Sequence, residues 1–327
     1  RRSLVMLPYV YLVCRLLLEK KNGDLLVRGA VGVAERLGVP AIIIGLTVVA
    51  FGTSAPELIV SMRAASEGAP GIAIGNAVGS NIANVLLVLG LPALFRVTEC
   101  EEDGTIRSSL FMLAVTLVFI ALCMHSPLDR LDGLVMLALL AFFVVDSVRT
   151  GLRHRARRAR AVSEIETIDG VTGVPRSPWV TSTFLVLGLL GLPIGATLTV
   201  DNAVLIARDW GVSEAAIGLT IVAIGTSLPE LATTLMAAIR REGAVALGNV
   251  IGSNIFNILA IMGGTAVLFP LEVPQAILDF DLWALLAATV VLLPFALAHI
   301  PINRWVGAVM VTVYVGYIYL VFQMGAA

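Results

Sequence analysis

Residues 45–90 read GLTVVAFGTSAPELIVSMRAASEGAPGIAIGNAVGSNIANVLLVLG, and residues 218–263 read GLTIVAIGTSLPELATTLMAAIRREGAVALGNVIGSNIFNILAIMG. The second stretch is offset from the first by 173 positions throughout, with no gap, and 23 of the 46 aligned positions are identical. A repeat this long that occurs only twice is a duplicated half-protein rather than a solenoid unit. Each copy carries a carboxylate, Glu57 or Glu230, inside an otherwise apolar, glycine-rich run, with Thr and Ser just before it. Each also carries Ser-Asn-x-x-Asn in the following run.

Outward from the repeat, the chain is 58% apolar and 14% charged, with a mean hydropathy of +0.95. A soluble domain is roughly half apolar and a quarter charged. The composition therefore predicts an all-α polytopic membrane protein, and 327 residues accommodate about ten spans of roughly 20 residues with their loops. The net charge of −1 points away from a nucleic-acid partner. Cys14, Cys100 and Cys123 form no CxxC or Cys/His cluster, so they read as small apolar packing residues rather than as zinc ligands or a disulfide framework.

The first apolar stretch, 4–18, runs into a charged patch from Glu19 to Asp24 and resumes to about 37, an unusual pattern because charge within a bilayer is costly. Spans follow at about 40–64, 71–94, 108–124 and 129–148, with an acidic loop at 95–107. The arginine-rich segment that begins at Arg149 and the polar stretch to Pro178 form the natural linker, 149–178. Its arginines beside a span place it in the cytoplasm. The second half repeats the plan at about 179–208, 213–238, 244–269, 277–298 and 303–322. Residues 1–148 and 179–327 thus form two five-span repeats, and an odd span number makes the second copy inverted, with both termini outside. Transporters with inverted repeats place their sites at the bilayer midplane, between the copies.

In each copy Pro lies one residue before the Glu. Pro56 lacks an N–H and clashes with the carbonyl four residues back, at Gly52. The carbonyls near Ala50 to Thr53 are thereby freed from the helical ladder, and in hydrocarbon they need a partner. Ala223, Gly225, Thr226, Ser227, Pro229 and Glu230 repeat the arrangement. Hydroxyls, freed carbonyls and a carboxylate are hard oxygen donors, and two such halves suit Ca2+. Ser80 and Asn84, like Ser253 and Asn257, are four apart and share a face. Packing is the ordinary role of Gly75-x3-Gly79 and Gly248-x3-Gly252. Back-bonding within the helix competes with ligation for Thr53 and Thr226, as interhelical bonding does for Asn81 and Asn254. Lys and Arg stay near the ends of these four spans, so a salt-bridged role for the two acids finds no partner, and an unpaired intramembrane acid reads as functional.

Gly-Thr-Ser-x-Pro-Glu followed by Gly-Asn-x-x-Gly-Ser-Asn-x-x-Asn, present twice, resembles the alpha-1 and alpha-2 repeats of the cation/calcium exchanger superfamily, in particular its prokaryotic sodium/calcium exchanger branch. The resemblance implies that Glu57 and Glu230 ligate Ca2+ with the carbonyls of Thr53 and Thr226. It implies Na+ sites using Ala50, Ser54, Ser80, Ala223, Ser227 and Ser253, with Asn84 and Asn257 lining the centre. It also implies that spans one and six slide as a gating pair. Many relatives carry Asp at one of the two central Asn positions, and the first span is usually apolar; this chain departs from both patterns.

The expected function is a secondary antiporter exchanging Ca2+ for Na+, with an H+/Ca2+ antiporter on the same scaffold as the alternative. A channel fits inverted repeats less well. No HExxH, GxSxG or paired His–acid motif points to an enzyme, and no cofactor beyond the transported ions is expected. Each chain carries a complete site, so a monomer suffices, surrounded by membrane lipid. The short linker suits a minimal exchanger of a prokaryotic inner (plasma) membrane.

Overall fold

The computed structural model describes residues 22–100, 104–161, 177–189 and 213–325. Helix α1 covers 22–37, followed by α2 (Ala41–Thr53), α3 (Ala55–Ser66), α4 (Pro70–Phe95), α5 (Thr105–Cys123) and α6 (Arg130–Ala161). Then come α7 (Pro178–Leu189), α8 (Ala215–Thr226), α9 (Leu228–Ile239), α10 (Gly243–Leu268), α11 (Ile277–Leu297) and α12 (Arg304–Gly325). Among the described residues there is no strand. Two isolated bridges, Thr98 with Ile302 and Leu128 with Leu271, tie loops together at opposite ends of the helices.

Six of these helices are long and apolar enough to cross a membrane, and eight spans result if each bent pair, α2–α3 and α8–α9, counts as one. Both pairs bend by 43°. The expected spans one and six lie largely on 1–21 and 190–212, outside the described residues, as do Glu19 to Lys21, Cys14 and the acidic residues 101–103. The fifth span, expected to end at 148, runs on as a helix to Ala161. Residues 149–161 are mostly Arg, Ala and Leu, strong helix formers that need no apolar face to stay helical. The beginning of the expected linker is therefore the last turns of α6.

The two halves interlock rather than sit side by side. Helix α4 packs on α8 of the other half, and α10 packs on α2. Glycines set this approach. A Cβ on Gly79 would lie 2.5 Å from the Leu219 carbonyl oxygen, and one on Gly252 would lie 2.6 Å from that of Leu46. Gly75 and Gly248 meet Ala215 and Ile42 in the same way, so the packing role of the small-xxx-small pattern holds at all four positions. Farther along, Gly90 of α4 abuts Gly307 of α12, and Gly263 of α10 abuts Gly133 of α6. The result is a polar, close-packed centre, α2–α4 with α8–α10, and an outer layer, α5, α6, α11 and α12, whose exposed side chains are mostly apolar.

Candidate functional site

Both bent pairs break at a serine. Ser54 (φ −82°, ψ 7°) and Ser227 (φ −80°, ψ 3°) leave helical geometry. The prolines that follow, Pro56 and Pro229, sit in the first turn of the next helix, where a missing N–H costs nothing. One π-helical segment precedes each break, Gly45–Val49 or Gly218–Val222, and another lies in each facing helix, Asn84–Val88 or Asn257–Met262. Such segments are frequent at functional sites in helices. Glu57 and Glu230 fall in the first turns of α3 and α9, where the unpaired N–H groups of a helix start favour negative charge. Thr53 and Glu57 thus lie on separate helices joined at Ser54.

The polar side chains meet in the centre, each no more than 3% exposed. They pair across the halves. Thr226 Oγ1 donates to Asn76 Oδ1 at 3.0 Å, and Thr53 Oγ1 to Asn249 Oδ1 at 3.2 Å. Ser80 lies 3.5 Å from Thr226, and Ser253 lies 3.5 Å from Thr53. Both threonine hydroxyls also lie within bonding distance of a carbonyl of their own helix, Ala50 or Ala223. The Ala50 and Ala223 carbonyls accept a second bond each, from the Ser54 and Ser227 N–H groups.

Two pairs of residues that the motif reading gave no role hold this arrangement. Asn76 Nδ2 donates to the Glu57 carbonyl at 3.2 Å and to Ser61 at 2.9 Å. Asn249 Nδ2 donates to the Glu230 carbonyl at 3.4 Å and to Thr234 at 3.1 Å. The shared offset of 173 and the repeated 15-residue spacing from hydroxyl to amide were the signals that could have found them. Asn81 and Asn254, open between bonding and ligation, bond each other's backbone carbonyls across α4 and α10.

What remains is a set of oxygens without donors. Glu57 Oε1 and Oε2, Glu230 Oε2, Asn84 Oδ1, Asn257 Oδ1 and Ser227 Oγ are buried with no hydrogen-bond partner. Glu230 Oε1 accepts from Ser54 at 3.1 Å and from Ser253 at 3.3 Å. The four packed segments 41–62, 70–95, 215–239 and 243–268 contain no Lys, Arg or His, and no acid besides these two. Two carboxylates within electrostatic reach of each other, on segments that carry amide oxygens and no cationic side chain, make a donor set suited to hard cations. Asp24, in the charged part of the first expected span, pairs instead with Arg240 at the end of α9 and, at 3.9 Å, with Arg28.

The model of the family described as "Sodium/calcium exchanger protein" matches residues 7–148 and 181–323. The chain is 38% identical to "Putative antiporter CaxA" of Alkalimonas amylolytica over 96% of its own length and 98% of that protein's. It is 34% identical to "Sodium/calcium exchanger MaX1" of Methanosarcina acetivorans, covering 98% of this chain and all of that protein (100%). It is 37% identical to "Inner membrane protein YrbG" of Escherichia coli over 88% of each. Among solved structures it superposes on the sodium-calcium exchanger NCX_Mj soaked with Na+ and Ca2+, with a TM-score of 0.78 and 32% identity, over 96% of this chain and 98% of that one.

Proposed function

The chain belongs to the sodium/calcium exchanger protein family, and from that premise we propose that it is a secondary antiporter exchanging Ca2+ for Na+ across a membrane by alternating access. The observation that carries the proposal is the group of buried, donorless oxygens around Glu57 and Glu230. Two carboxylates in a low-dielectric interior repel each other and need compensating positive charge. One Ca2+ supplies two charges, and so do two Na+. If both ions draw on the same two carboxylates, they exclude one another, and exchange is obligatory. In this reading Thr53, Thr226, Ser54, Ser227, Ser80 and Ser253 supply hydroxyl or carbonyl oxygen, and Asn84 and Asn257 supply amide oxygen. The Ala50 and Ala223 carbonyls, already accepting two bonds each, contribute secondarily.

The architecture that goes with this reading is ten spans in two inverted five-span repeats, 1–148 and 179–327. The matched breaks, π-helical segments and cross-half bonds support it. Orientation follows from charge. The Thr98–Ile302 end of the helices carries Arg36, Arg96, Arg241 and Arg304 together with Arg149 and Arg153 near the end of α6, whereas the other end carries Arg63 and Arg130. The positive-inside bias then makes the first end cytoplasmic, with the arginine-rich segment, and puts the termini outside. The membrane is a prokaryotic inner membrane in this reading, and the monomer is the transporting unit.

The test is radioactive Ca2+ uptake into proteoliposomes loaded with Na+ and diluted into Na+-free buffer at matched pH. Uptake that requires the Na+ gradient is the expected result. Uptake driven by a pH gradient alone would replace Na+ with H+ as the counter-ion, and rapid Ca2+ flux without any counter-ion would replace the carrier with a channel.

A further inference from the structure

Four asparagines meet where α4 crosses α10, and two backbone carbonyls fix which way their amides point. A carbonyl oxygen only accepts, so the atom facing it must be the amide nitrogen. Asn254 Nδ2 donates to the Asn81 carbonyl at 3.3 Å, which turns Asn254 Oδ1 the other way. That oxygen accepts from Asn84 Nδ2 at 3.1 Å, so Asn84 Oδ1 is left as the outward atom. The other half repeats the chain. Asn81 Nδ2 donates to the Asn254 carbonyl at 3.1 Å, Asn257 Nδ2 donates to Asn81 Oδ1 at 2.9 Å, and Asn257 Oδ1 is left. Both outward oxygens are buried without a donor. The segment Asn84–Val88 packs on α9, the Glu230 helix, and Asn257–Met262 packs on α3, the Glu57 helix.

We propose that Asn81 and Asn254 are positioning residues that lock the amide polarity of Asn257 and Asn84, so that the exchange site receives oxygen and never NH2. The inference rests on the exchange reading above. An asparagine is an ambiguous ligand, because a half-turn about its last bond replaces an acceptor with a donor that repels a cation. A neutral amide serves in place of a carboxylate only when something prevents that turn. Here the turn would bring Asn84 Oδ1 against Asn254 Oδ1, and Asn254 cannot yield without setting its own oxygen against the Asn81 carbonyl.

The experiment is a mutant cycle read by Ca2+ affinity in purified protein and by Na+-driven Ca2+ uptake. Asn254→Ala frees the Asn84 amide to turn and should weaken Ca2+ binding by roughly 10- to 100-fold, the usual effect of removing a group that orients a metal ligand. Asn84→Asp in the same chain should restore most of that loss, because a carboxylate presents oxygen in either orientation. Asn84→Asp alone should bind Ca2+ more weakly than the double variant, because its second oxygen faces Asn254 Oδ1. Asn81→Ala with Asn257→Asp is the mirror cycle. A defect of Asn254→Ala that persists in the double variant means a packing role and overturns the proposal, as does unchanged affinity in Asn254→Ala. If neither alanine variant folds, Asn84→Asp alone decides, and tighter Ca2+ binding than wild type overturns the proposal. Wild-type protein that neither binds Ca2+ nor takes it up fails the exchange reading and this inference together. Intact wild-type exchange without rescue fails this inference alone.

Discussion

The two bent pairs, 41–66 and 215–239, share a break at Ser-x-Pro-Glu, a bend of 43° and a π-helical segment before the break, yet they treat their carboxylates differently. Glu230 takes hydroxyl donors from both halves, Ser54 and Ser253, on one oxygen. Glu57 has the matching Thr226 and Ser227 hydroxyls beside it, but neither as close as those on Glu230. The backbone skeleton and the asparagine bonds repeat; the distances of the hydroxyls from the carboxylates do not. A hydroxyl moves by rotation about one bond, whereas a break held by proline and a crossing held by glycine do not move without repacking. In the proposed exchange, the symmetric skeleton would fix where cations sit, and the rotatable hydroxyls would adjust to which cation is there.

The strongest way to break this comparison is to remove one acid at a time. Glu57→Gln and Glu230→Gln should each lower Na+-driven Ca2+ uptake by more than about 100-fold, since losing one partner from a buried charged set costs about 3 kcal/mol or more. Uptake assays on both variants check this. Equal losses would mean that the hydroxyl difference has no bearing on transport. A variant that kept full uptake would remove its glutamate from the site.

Packing symmetry is the next target. Gly79→Ala and Gly252→Ala each set a methyl against a carbonyl oxygen of the other half. Overpacking of this kind costs about 1–3 kcal/mol. Thermal unfolding in detergent should show both variants with a lowered Tm, by about 2–4 °C for each kcal/mol. Gly264→Ala, whose Cβ would meet nothing within 4 Å, should leave Tm unchanged. A large shift in Gly264→Ala and none in the other two would mean that the helices do not cross as described.

Asn76→Ala and Asn249→Ala sharpen the comparison further. Each deletes a donor to a glutamate carbonyl and an acceptor for the opposite threonine. Unmade buried hydrogen bonds cost about 1–3 kcal/mol, so Ca2+ affinity measured by titration should fall by roughly tenfold in both. Unequal falls would show that the hydroxyl asymmetry reaches the asparagines.

The parts of this centre that were legible in the sequence are those written twice. The duplicated Glu, the Pro before it and the Gly-x3-Gly pairs yielded the breaks, the close crossings and the acids, because each has one dominant physical consequence. The cross-half pairing of Thr53 with Asn249 and of Thr226 with Asn76 was not legible, because a motif lists what each half contains and not which half it faces. The polarity of the four central amides depends on two backbone carbonyls brought together by the fold. The helical continuation of α6 past residue 148 was not legible, because arginine reads as a membrane boundary in hydropathy but as a helix former in propensity.

Asp281 supplies the smallest effect and the sharpest contrast. It is a third buried acid, 3% exposed, in the first turns of α11. Intramembrane acids are functional by default, and on that ground Asp281 ranks with the glutamates. Two facts separate it. Its carboxylate accepts from the Tyr317 hydroxyl at 2.9 Å, whereas no donor stands that close to Glu57. At the offset of 173 the first half has Ser108 and Val144 in place of Asp281 and Tyr317, so the pair is not part of the duplicated machinery. The bond joins α11 to α12 in the outer layer, where the Phe280 and Tyr317 rings also stack with centroids 6.2 Å apart. Asp281→Asn should therefore keep Na+-driven Ca2+ uptake within about twofold of wild type, while Tm drops by the few degrees that correspond to about 1 kcal/mol of hydrogen bond. Tyr317→Phe should do the same, and the double variant should be little worse than either single one, because both remove one interaction. Loss of uptake on the scale expected for Glu57→Gln would instead put Asp281 on the ion path and make the transport machinery of the two halves unequal.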